Sequence, residues 1–452
     1  MLRATFSQRE KEMQKDLFMF AYYLQLGLRS LKRNPILTAL MVVGIALGIA
    51  ASMTTLTVLH LMGSDPIPWK SSQLHYVQLD NWSPDEAFFD DGRPPDQVTY
   101  RDAVALMQAG EADKQAAMFK LSLPIQPENK ELKPFRALGR VTYADFFSMF
   151  EPRFKYGGAW NHDQDASHAR VVVLGKDINE KLFGGQDSTG KTVRMDGIDY
   201  SIVGVLDDWK LRSRYYDLTN GAFTDPDEFF MPFTTAIDLK QRSTGNNSCW
   251  KTPGDGWDAY LDSDCVWIQM WVQLDSPARL ADYTSFLANY VGEQKKLGRF
   301  PRPLNNRLLN VTEWMRDQHV VSRDIEVQTG LAFAFLIVCL VNTVGLLLAK
   351  FTRKSGEIGL RRALGASRRE VFTQFLIESG VVGLTGGFLG LILTGLGLVA
   401  VRALYADYKT VAQLDWSMIT VTILLAVVSA VLAGLYPTWR ACRVEPAAQL
   451  KM

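Results

Sequence analysis

The chain has 452 residues, a net charge of +1 and 21% charged residues. This balance excludes nucleic-acid binding through bulk positive charge, and the length allows two or three domains of about 100–200 residues each. The hydrophobic fraction of 47% is ordinary, but the apolar residues are concentrated in four long segments, which predicts a membrane protein rather than a soluble one.

Residues 1–35 are predicted to form a cytoplasmic amphipathic leader. Apolar side chains recur there at helical spacing, whereas the basic and polar side chains lie off this stripe. The stripe consists of Leu17, Phe20, Leu24, Leu28 and Leu31. Such a helix lies in the membrane interface, and Pro35 is well suited to begin the helix that follows.

Four segments reach the length of about 18–20 apolar residues that a membrane helix needs. They are predicted as transmembrane helices at residues 36–61, 329–351, 371–402 and 415–436. The first is too long, and begins too late, to be a cleaved signal peptide. The predicted fold class is therefore a membrane protein with four transmembrane α-helices and a large α/β extracytoplasmic domain, residues 62–328, between the first two helices.

Basic residues orient the chain through the positive-inside rule. They cluster before the first span, between the second and third, and after the fourth. The clusters are Arg29, Lys32 and Arg33; Lys350, Arg353, Lys354, Arg361, Arg362, Arg368 and Arg369; and Arg440, Arg443 and Lys451. The leader, residues 352–370 and the tail 437–452 are therefore expected in the cytoplasm, and residues 62–328 outside it.

The external domain shows mixed α/β patterning. Residues 170–174 are a run of buried-strand type, and residues 176–185 are typical of a short helix that ends in glycines. Alternating apolar residues on both sides of Asp196-Gly197 predict a β-hairpin. Residues 242–264 are rich in turn formers and are expected to be a loop.

Two cysteines, Cys249 and Cys265, lie in the external domain. Oxidation is permitted outside the cytoplasm, and a bridge closing a loop of this size would stabilise the fold by about 3 kcal/mol in the chain-entropy model. A disulfide and two free thiols both remain open.

Residues 185–192 match the pattern G-x-x-x-x-G-K-T of a nucleotide-binding P-loop. A working P-loop follows a strand and opens a helix, because the helix N-terminus and the loop amides together hold the phosphates. Here a helix precedes the glycines and a hairpin follows Lys191. The stretch is also expected outside the cell, where ATP is scarce. The pattern is therefore interpreted as a helix-to-strand turn.

The sequence contains few other enzyme motifs. The chain is therefore expected to be non-catalytic and to hold no cofactor or metal of its own. Neither H-E-x-x-H nor G-x-S-x-G occurs. His162 and His168 with Asp163 and Asp165 could bind a metal, but a solvated loop is the favoured interpretation.

The segment Asn342–Phe372 carries the most specific pattern. The second span is expected to continue as a charged helix to about Leu364, with Gly365 as its left-handed C-cap. Ser367 and Glu370 then match S-x-x-E, a capping box that begins the third helix. The alternative is a loop whose positive charge only sets topology. A docking surface for a cytoplasmic partner better explains Glu357 and the interspersed apolar residues.

Within the spans, Asn342 is expected to hydrogen-bond across a helix interface, with a contribution on the order of 1 kcal/mol. Gly383 with Gly387, and Gly386 with Gly390, form G-x-x-x-G spacings that allow close approach of another helix, in this chain or in a dimer. Glu378 is expected to be interfacial or paired with an arginine, and a proton-relay role stays open.

Four stretches together resemble the permeases of the MacB/FtsX/LolC superfamily, the type VII ABC transporters. They are EIGLRRALGASRREVFTQFLIES (357–379), YPTWRACRVEPAAQL (436–450), VTYADFFSMF (141–150) and LFGGQDSTGKTVRMDGIDYSIVGVL (182–206). The resemblance implies mechanotransmission: a cytoplasmic ATPase pushes the segment 352–370, and the helices pass the motion to a MacB-like periplasmic domain. The LFGG…GK segment recurs in this family as a structural turn.

The resemblance also implies site residues, partners and location. The residues expected to couple to the ATPase are Glu357, Ile358, Gly359, Arg361, Arg362, Leu364, Gly365 and Ala366. MacB carries a fused ATPase domain, whereas only residues 1–34 precede the first span here, so a separate ATPase subunit is expected. The expected setting is the bacterial inner membrane, with a homodimer or a heterodimer of permeases, a MacA-like adaptor and an outer-membrane channel.

The implied activity is efflux of a peptide, an antibiotic or a similar molecule. Two alternatives are a lipoprotein-release permease and a membrane receptor whose external domain senses a ligand.

Overall fold

The computed structural model describes residues 22–23, 25–29, 32, 34–129, 131–209, 211–404 and 416–442. The chain divides into two compact units, Met1–Met62 with Val321–Met452, and Gly63–Val320. Most of the predicted leader 1–35 and residues 443–452 of the predicted tail lie outside the described residues, so the amphipathic leader helix stays a prediction.

The described helices follow the chain order α1 to α13. They are α1 (Pro35–Gly63), α2 (Tyr100–Ala109), α3 (Asp145–Phe150), α4 (His162–Ala166), α5 (Lys176–Phe183), α6 (Phe233–Asp238), α7 (Trp257–Leu261), α8 (Pro277–Lys296), α9 (Val311–Asp317), α10 (Arg323–Arg353), α11 (Ser355–Ala363), α12 (Arg368–Leu404) and α13 (Trp416–Cys442). A 3₁₀ helix spans Tyr215–Asn220.

Four of these helices, α1, α10, α12 and α13, are long and apolar enough to cross a membrane. The protein is therefore a multi-pass membrane protein with the predicted four helices. Each helix extends a little beyond its predicted span, and α13 continues through Pro437 to Cys442. Hydropathy detects only the apolar part of a helix, whereas backbone hydrogen bonding continues into its polar ends.

The membrane unit has a core of its own. On α1, Met41, Ile45, Ile49 and Met53 recur every four residues and are buried. This spacing places them on one face of the helix, where they join a cluster with residues of α10, α12 and α13.

The external unit is built on one mixed sheet. Its strands are β1 (Leu74–Gln78), β2 (Val98–Thr99), β3 (Lys114–Gln126), β4 (Phe135–Thr142), β5 (Phe154–Gly157), β6 (Val171–Leu174), β7 (Thr192–Met195), β8 (Ile198–Leu206), β9 (Phe229–Pro232), β10 (Val266–Gln273) and β11 (Arg307–Asn310). Their order is β11-β1-β10-β3-β4-β9-β6-β8-β5, with β2 beside β10 and β7 beside β3 and β8. The pairs β4–β9 and β6–β8 are parallel, and the other pairs are antiparallel.

Both faces of this sheet are covered. On β6, Val172 and Leu174 belong to one buried cluster, whereas Val171 and Val173 belong to another. Alternate residues of a strand point to opposite faces, so each cluster occupies one side. This explains why residues 171–174 are apolar without alternation, and it confirms the predicted buried strand.

Local predictions in this unit are largely confirmed. β7 and β8 form the predicted hairpin, and its turn residues Asp196 and Gly197 both have positive φ, 51° and 76°. A two-residue turn with this backbone matches the twist of the strands. The expectation of a plain loop at 242–264 is wrong in part, because residues Trp257–Leu261 form α7. Trp257 and Tyr260 pack onto the sheet cluster there, and this tertiary contact outweighs the turn-rich composition.

Candidate functional site

The P-loop-like stretch Gly184–Thr192 is a turn between α5 and β7. Gly184 and Gly185 have φ values of 65° and 74° and end α5, so the predicted helix-to-strand turn is confirmed. A phosphate cradle needs backbone N–H groups that point at the ligand. Here most of them donate within the protein: Gly185 to Asn179, Gln186 to Phe183, Thr189 to the Asp187 side chain, Gly190 to Ile202 and Lys191 to Ser188. The stretch therefore offers no cradle, and a strand follows it where a helix is required.

Replacing Lys191 with alanine is expected to change the free energy of unfolding by less than about 0.5 kcal/mol, as for an ordinary surface substitution. The Lys191 side chain is exposed and lies over the Phe183 ring, 5.4 Å from its centroid. Any ATP hydrolysis by the purified protein should be unchanged. As a contrast, Gly190→Ala should cost about 1–2 kcal/mol, because Gly190 has a φ of 79°. Loss of hydrolysis in a folded Lys191→Ala protein would restore the nucleotide-site interpretation.

The second membrane helix, α10, and the short helix after it, α11, meet in an elbow at Lys354. α10 ends at Arg353, Lys354 adopts φ −95° and ψ 5°, and α11 runs from Ser355 to Ala363. The prediction of one continuous helix to about Leu364 is therefore wrong. The bend at Lys354 lets α11 turn Ile358 into the membrane-unit cluster, which also contains Phe351 and Phe375.

The end of the elbow has the predicted turn chemistry. Gly365 has a φ of 103°, a backbone conformation that favours glycine. Ser367 and Glu370 form the capping box: the Ser367 amide donates to the Glu370 carboxylate at 2.9 Å, and the Glu370 amide donates to the Ser367 hydroxyl at 3.2 Å. These bonds satisfy N–H groups at the start of α12 that would otherwise have no partner.

α11 has a buried face and an exposed face. Ile358 and Gly359 are buried, so within this chain they pack the helix against the membrane unit. Leu360 and Leu364 are 57% and 80% exposed, and Glu357 and Gly365 are also exposed. Leu360 is absent from the residues that the family resemblance assigned to coupling. It is exposed beside Leu364 and therefore lies on the same exposed face of α11.

Charged groups connect the elbow to the third membrane helix. Arg361 donates to Glu357 at 2.9 Å, one helical turn earlier, and to the Gln374 amide oxygen on α12, also at 2.9 Å. Arg362 is partly buried, as is Ala366. Arg361 therefore links α11 to α12 while Glu357 remains at the surface.

Glu378 on α12 is buried and pairs with two lysines of α10 and the elbow. Its carboxylate lies 2.8 Å from Lys350 Nζ and 3.1 Å from Lys354 Nζ. The sequence suggested an interfacial position or an arginine partner; the structure places two lysines at this carboxylate, and those two alternatives stay predictions. Two cations spaced i, i+4 could have suggested a shared anion, but the sequence does not show which acid of another helix lies opposite them. The ion pairs hold the C-terminal end of α10 against α12.

The small residues of α12 serve two faces within the chain. A side chain at Gly383 or Gly387 would overlap Ala430 or Ala426 of α13. On the other face, a Cβ at Gly386 or Gly390 would meet Ile45 or Ile49 of α1 at 2.9 and 3.0 Å. Of the two alternatives, a contact within this chain or a contact in a dimer, the first therefore applies to these glycines, because α12 lies close to both α1 and α13.

Asn342 lies on an exposed face of α10, and its side chain makes no hydrogen bond to any described residue of this chain. Val338 and Val341 are exposed on the same stretch of helix, at 64% and 66%. Any hydrogen bond from Asn342 across a helix interface must therefore go to a group outside the described part of this chain.

The predicted candidate for a metal site does not assemble. Within the described ranges, no group of three His, Cys, Asp or Glu side chains could hold a metal ion. The favoured interpretation, a solvated loop, is wrong at one position, because Asp165 is buried in α4. Asp165 accepts from Trp160 Nε1 and from the Ala144 amide, both at 2.8 Å. Burial raises the pKa of Asp165 to about 6 against the opposing effect of these hydrogen bonds.

Cys249 and Cys265 are joined by a disulfide in the external unit. The bridge sits beside an isolated β-bridge between Ser248 and Val266. It therefore holds the segment 249–265, including α7, against the sheet.

Two family models match the chain. Residues 38–286 match the MacB-like periplasmic core domain, and residues 329–446 match the C-terminal region of FtsX-like permeases. The first match covers the external unit up to α8, and the second covers the elbow, α12 and α13.

Three relatives illustrate the similarity. The macrolide export ATP-binding/permease protein MacB of Rhodopirellula baltica is 26% identical over 92% of this chain and 60% of that protein. The protein of the same name in Wolinella succinogenes is 25% identical over 65% of this chain and 40% of that protein. YvrN of Bacillus subtilis, an uncharacterized ABC transporter permease, is 22% identical over 68% of each chain. The chain thus spans 40 to 60% of the length of these MacB relatives.

Two solved structures are similar to the external unit. The first is the periplasmic region of MacB from Actinobacillus actinomycetemcomitans, with 15% identity, a TM-score of 0.35, and coverage of 55% of this chain and 94% of that one. The second is the extracellular domain of YknZ from Gram-positive bacteria, with 14% identity, a TM-score of 0.33, and coverage of 52% of this chain and 100% of that one. The two family models, rather than these structures, identify the family. Because the first of these covers more than half of the chain and the second covers the membrane helices that follow the external unit, the chain belongs to the MacB/FtsX-type ABC transporter permeases.

Proposed function

We propose that the chain transmits conformational change from a cytoplasmic ABC ATPase to its external domain, and that ATP is bound by the ATPase rather than by this chain. The observation that carries the proposal is the exposed face of the elbow. Leu360 and Leu364 stand in contact with solvent, and Glu357, Arg361 and Arg362 lie around them. Apolar anchors with a charged rim are typical of a protein interface.

The elbow is connected to two membrane helices through specific contacts. Arg361 reaches Gln374 of α12. Glu378 of α12 binds Lys350 of α10 and Lys354, the residue that directly follows α10. A force on α11 would therefore move α10 and α12 together. α10 has 31 residues, and at a rise of about 1.5 Å per residue it is long enough to carry such a motion across a bilayer.

The proposed setting follows from the charge pattern and the family. The basic clusters favour cytoplasmic termini and a cytoplasmic elbow in the bacterial inner membrane. Two permease chains, identical or different, would meet partly through the exposed face of α10, where Asn342 could find its hydrogen-bond partner. A MacA-like adaptor and an outer-membrane channel would complete the assembly.

The proposed activity is efflux of a peptide, an antibiotic or a similar molecule, in line with relatives named for macrolide export. No contact in the described part of the chain specifically favours lipoprotein release or ligand sensing over this proposal.

Charge reversal in the elbow tests the coupling. Glu357→Arg and Arg361→Glu are each expected to reduce stimulation of the ATPase that copurifies with the wild-type chain by about tenfold, which corresponds to about 1.4 kcal/mol of interface energy. The double variant Glu357→Arg/Arg361→Glu restores the ion pair within α11, a contact worth only about 0.3–0.5 kcal/mol. It should not restore stimulation, because each charge then faces the wrong group of the partner.

The matched control is Glu326→Arg, a reversal at an exposed site in the first turn of α10. It should leave stimulation unchanged. Two results would count against a docking surface. One is normal stimulation by both single variants. The other is full recovery in the double variant, which would show that the ion pair only stabilises α11 and makes no contact with the partner.

A further inference from the structure

The external unit contains a cavity of about 650 Å³ that none of the functions considered above uses. It lies between α2, α3, α4 and α6 beside the first residues of β3. Pockets of about 300–1,000 Å³ suit drug-sized ligands. The cavity lies wholly within one compact unit, so the chain alone supplies its wall.

The polar part of the wall is acidic. Asp145, Asp165 and Asp238 line the cavity, whereas none of its described lining residues is lysine or arginine. Two of these carboxylates pair with histidines: His162 Nε2 lies 3.3 Å from Asp145, and His168 Nδ1 contacts Asp238. A histidine is not a permanent cation, so the wall favours a positively charged ligand and disfavours an anion.

The apolar part of the wall contains aromatic rings. Phe233 stacks on Tyr143 with ring centroids 5.1 Å apart, and it lies parallel to Tyr100 at 6.3 Å. Val104, Met107 and Ile237 add aliphatic surface. Aromatic faces attract cations through their quadrupole, so these rings and the carboxylates favour the same ligand charge.

A buried amide in the wall has unused hydrogen-bonding capacity. Gln115 is buried, and its amide nitrogen donates to the Met107 carbonyl at 2.6 Å, but its Oε1 has no partner among the described residues. This oxygen is itself enclosed by protein atoms, so the carboxylates and the ring faces are the groups that a ligand in the cavity would contact.

We propose that this cavity binds a small organic cation, a primary amine or an amidine carried on an apolar scaffold. A metal ion does not fit, because no three of the described acidic or histidine side chains come together around one point. An organic cation matches the separated carboxylates and the ring faces simultaneously.

The test uses the full-length chain in detergent and three probes that share one tail. At pH 7.5, isothermal titration with 4-phenylbutylamine, 4-phenylbutanol and 4-phenylbutyrate compares a cation, a neutral molecule and an anion. The amine is expected to bind about tenfold more tightly than the alcohol, and the carboxylate should not bind measurably. Equal binding of amine and alcohol, or binding of the anion, would overturn the proposal.

Variants locate the binding to the cavity. Asp238→Asn and Asp165→Asn are each expected to weaken amine binding by about tenfold, and Ala166→Trp should abolish it by filling the opening. Asp282→Asn removes an exposed carboxylate of α8 outside the cavity and should bind like the wild type. If buried Asp165→Asn does not fold, Asp238→Asn and Ala166→Trp still decide the question, because wild-type affinity in both would place the binding elsewhere. The assay needs no ATPase, so its outcome is independent of the coupling prediction.

Discussion

Replacing Arg140 with methionine is expected to lower the free energy of unfolding of the external domain by about 3–5 kcal/mol, the cost of breaking a buried ion pair. Arg140 on β4 is fully buried and contacts both Asp217 and Asp227, the latter at 3.2 Å. Arg214 also contacts both aspartates, at 3.2 and 2.6 Å. Two cations and two anions therefore balance in the interior, and the Arg140→Met substitution would leave two carboxylates facing one guanidinium.

The electrostatics of Asp227 agree with this balance. Burial would raise the pKa of Asp227, but the adjacent guanidinium groups of Arg140 and Arg214 hold that pKa below its ordinary value. Without Arg140, one of the two aspartates would have to be buried with a poorly compensated charge or take up a proton.

The measurement is chemical denaturation of the full-length chain in detergent, followed by tryptophan fluorescence. Trp271 is a local reporter because its Nε1 donates to the Tyr216 carbonyl beside the network. Arg136→Met, on the same strand but exposed, is the control and should change stability by less than about 0.5 kcal/mol.

A double-mutant cycle sharpens the test. In Arg140→Met/Asp217→Asn the remaining pair, Arg214 and Asp227, is neutral again. The double variant should therefore lose less stability than the sum of the two single variants. Simple additivity, or an Arg140 effect no larger than that of Arg136, would contradict a charge-balanced network.

Replacing Gly387 with alanine is expected to destabilise the membrane unit by about 1–3 kcal/mol, the usual cost of overpacking. A methyl group there would overlap the Ala426 Cβ of α13, whereas the next atom, the Ala426 Cα, is 3.5 Å away. Exchanging the two residues in Gly387→Ala/Ala426→Gly moves the methyl group across the interface. The double variant should therefore recover most of the lost stability.

Two further glycines on α12 serve as comparison sites for this prediction. Gly380 has no neighbouring atom within 4 Å of an added Cβ, so Gly380→Ala should be neutral or stabilising by about 1 kcal/mol, because alanine is the better helix former. At Gly383 the Ala430 Cα is itself 2.6 Å from the added Cβ, so Ala430→Gly should rescue Gly383→Ala only partly. Thermal unfolding in micelles measures all of these effects. Equal responses at Gly380 and Gly387 would be incompatible with close helix packing at Gly387.

Local sequence signals predicted much of the fold. Long apolar runs predicted the four membrane helices, Asp196-Gly197 predicted the hairpin, and Ser367 with Glu370 predicted the start of α12. Each of these depends on residues that are neighbours in the chain. The P-loop pattern was excluded in the same way, from the helix before it and the hairpin after it.

Pairings between distant elements could not be predicted in this way. Glu378 was expected to be interfacial or to meet an arginine, and the register of α10 against α12 brings Lys350 and Lys354 to it. The expected continuous helix to Leu364 was wrong because the helix is interrupted at Lys354, and Ile358 beyond this point packs in the cluster that contains Phe351 and Phe375. Both outcomes depend on how helices pack, which hydropathy does not encode.

By itself, the amino-acid sequence determined the four spans, the mixed external domain between the first two, and an elbow with a capping box. These features arise from hydrophobic periodicity and from turn chemistry over a few residues. Only the tertiary structure decided that the α12 glycines contact α13 and α1, that Arg140 lies in a balanced buried network, and that Asp165 and Gln115 line one cavity. The physical reason is that these contacts join residues far apart in the chain, and their geometry exists only once sheet register and helix packing are set.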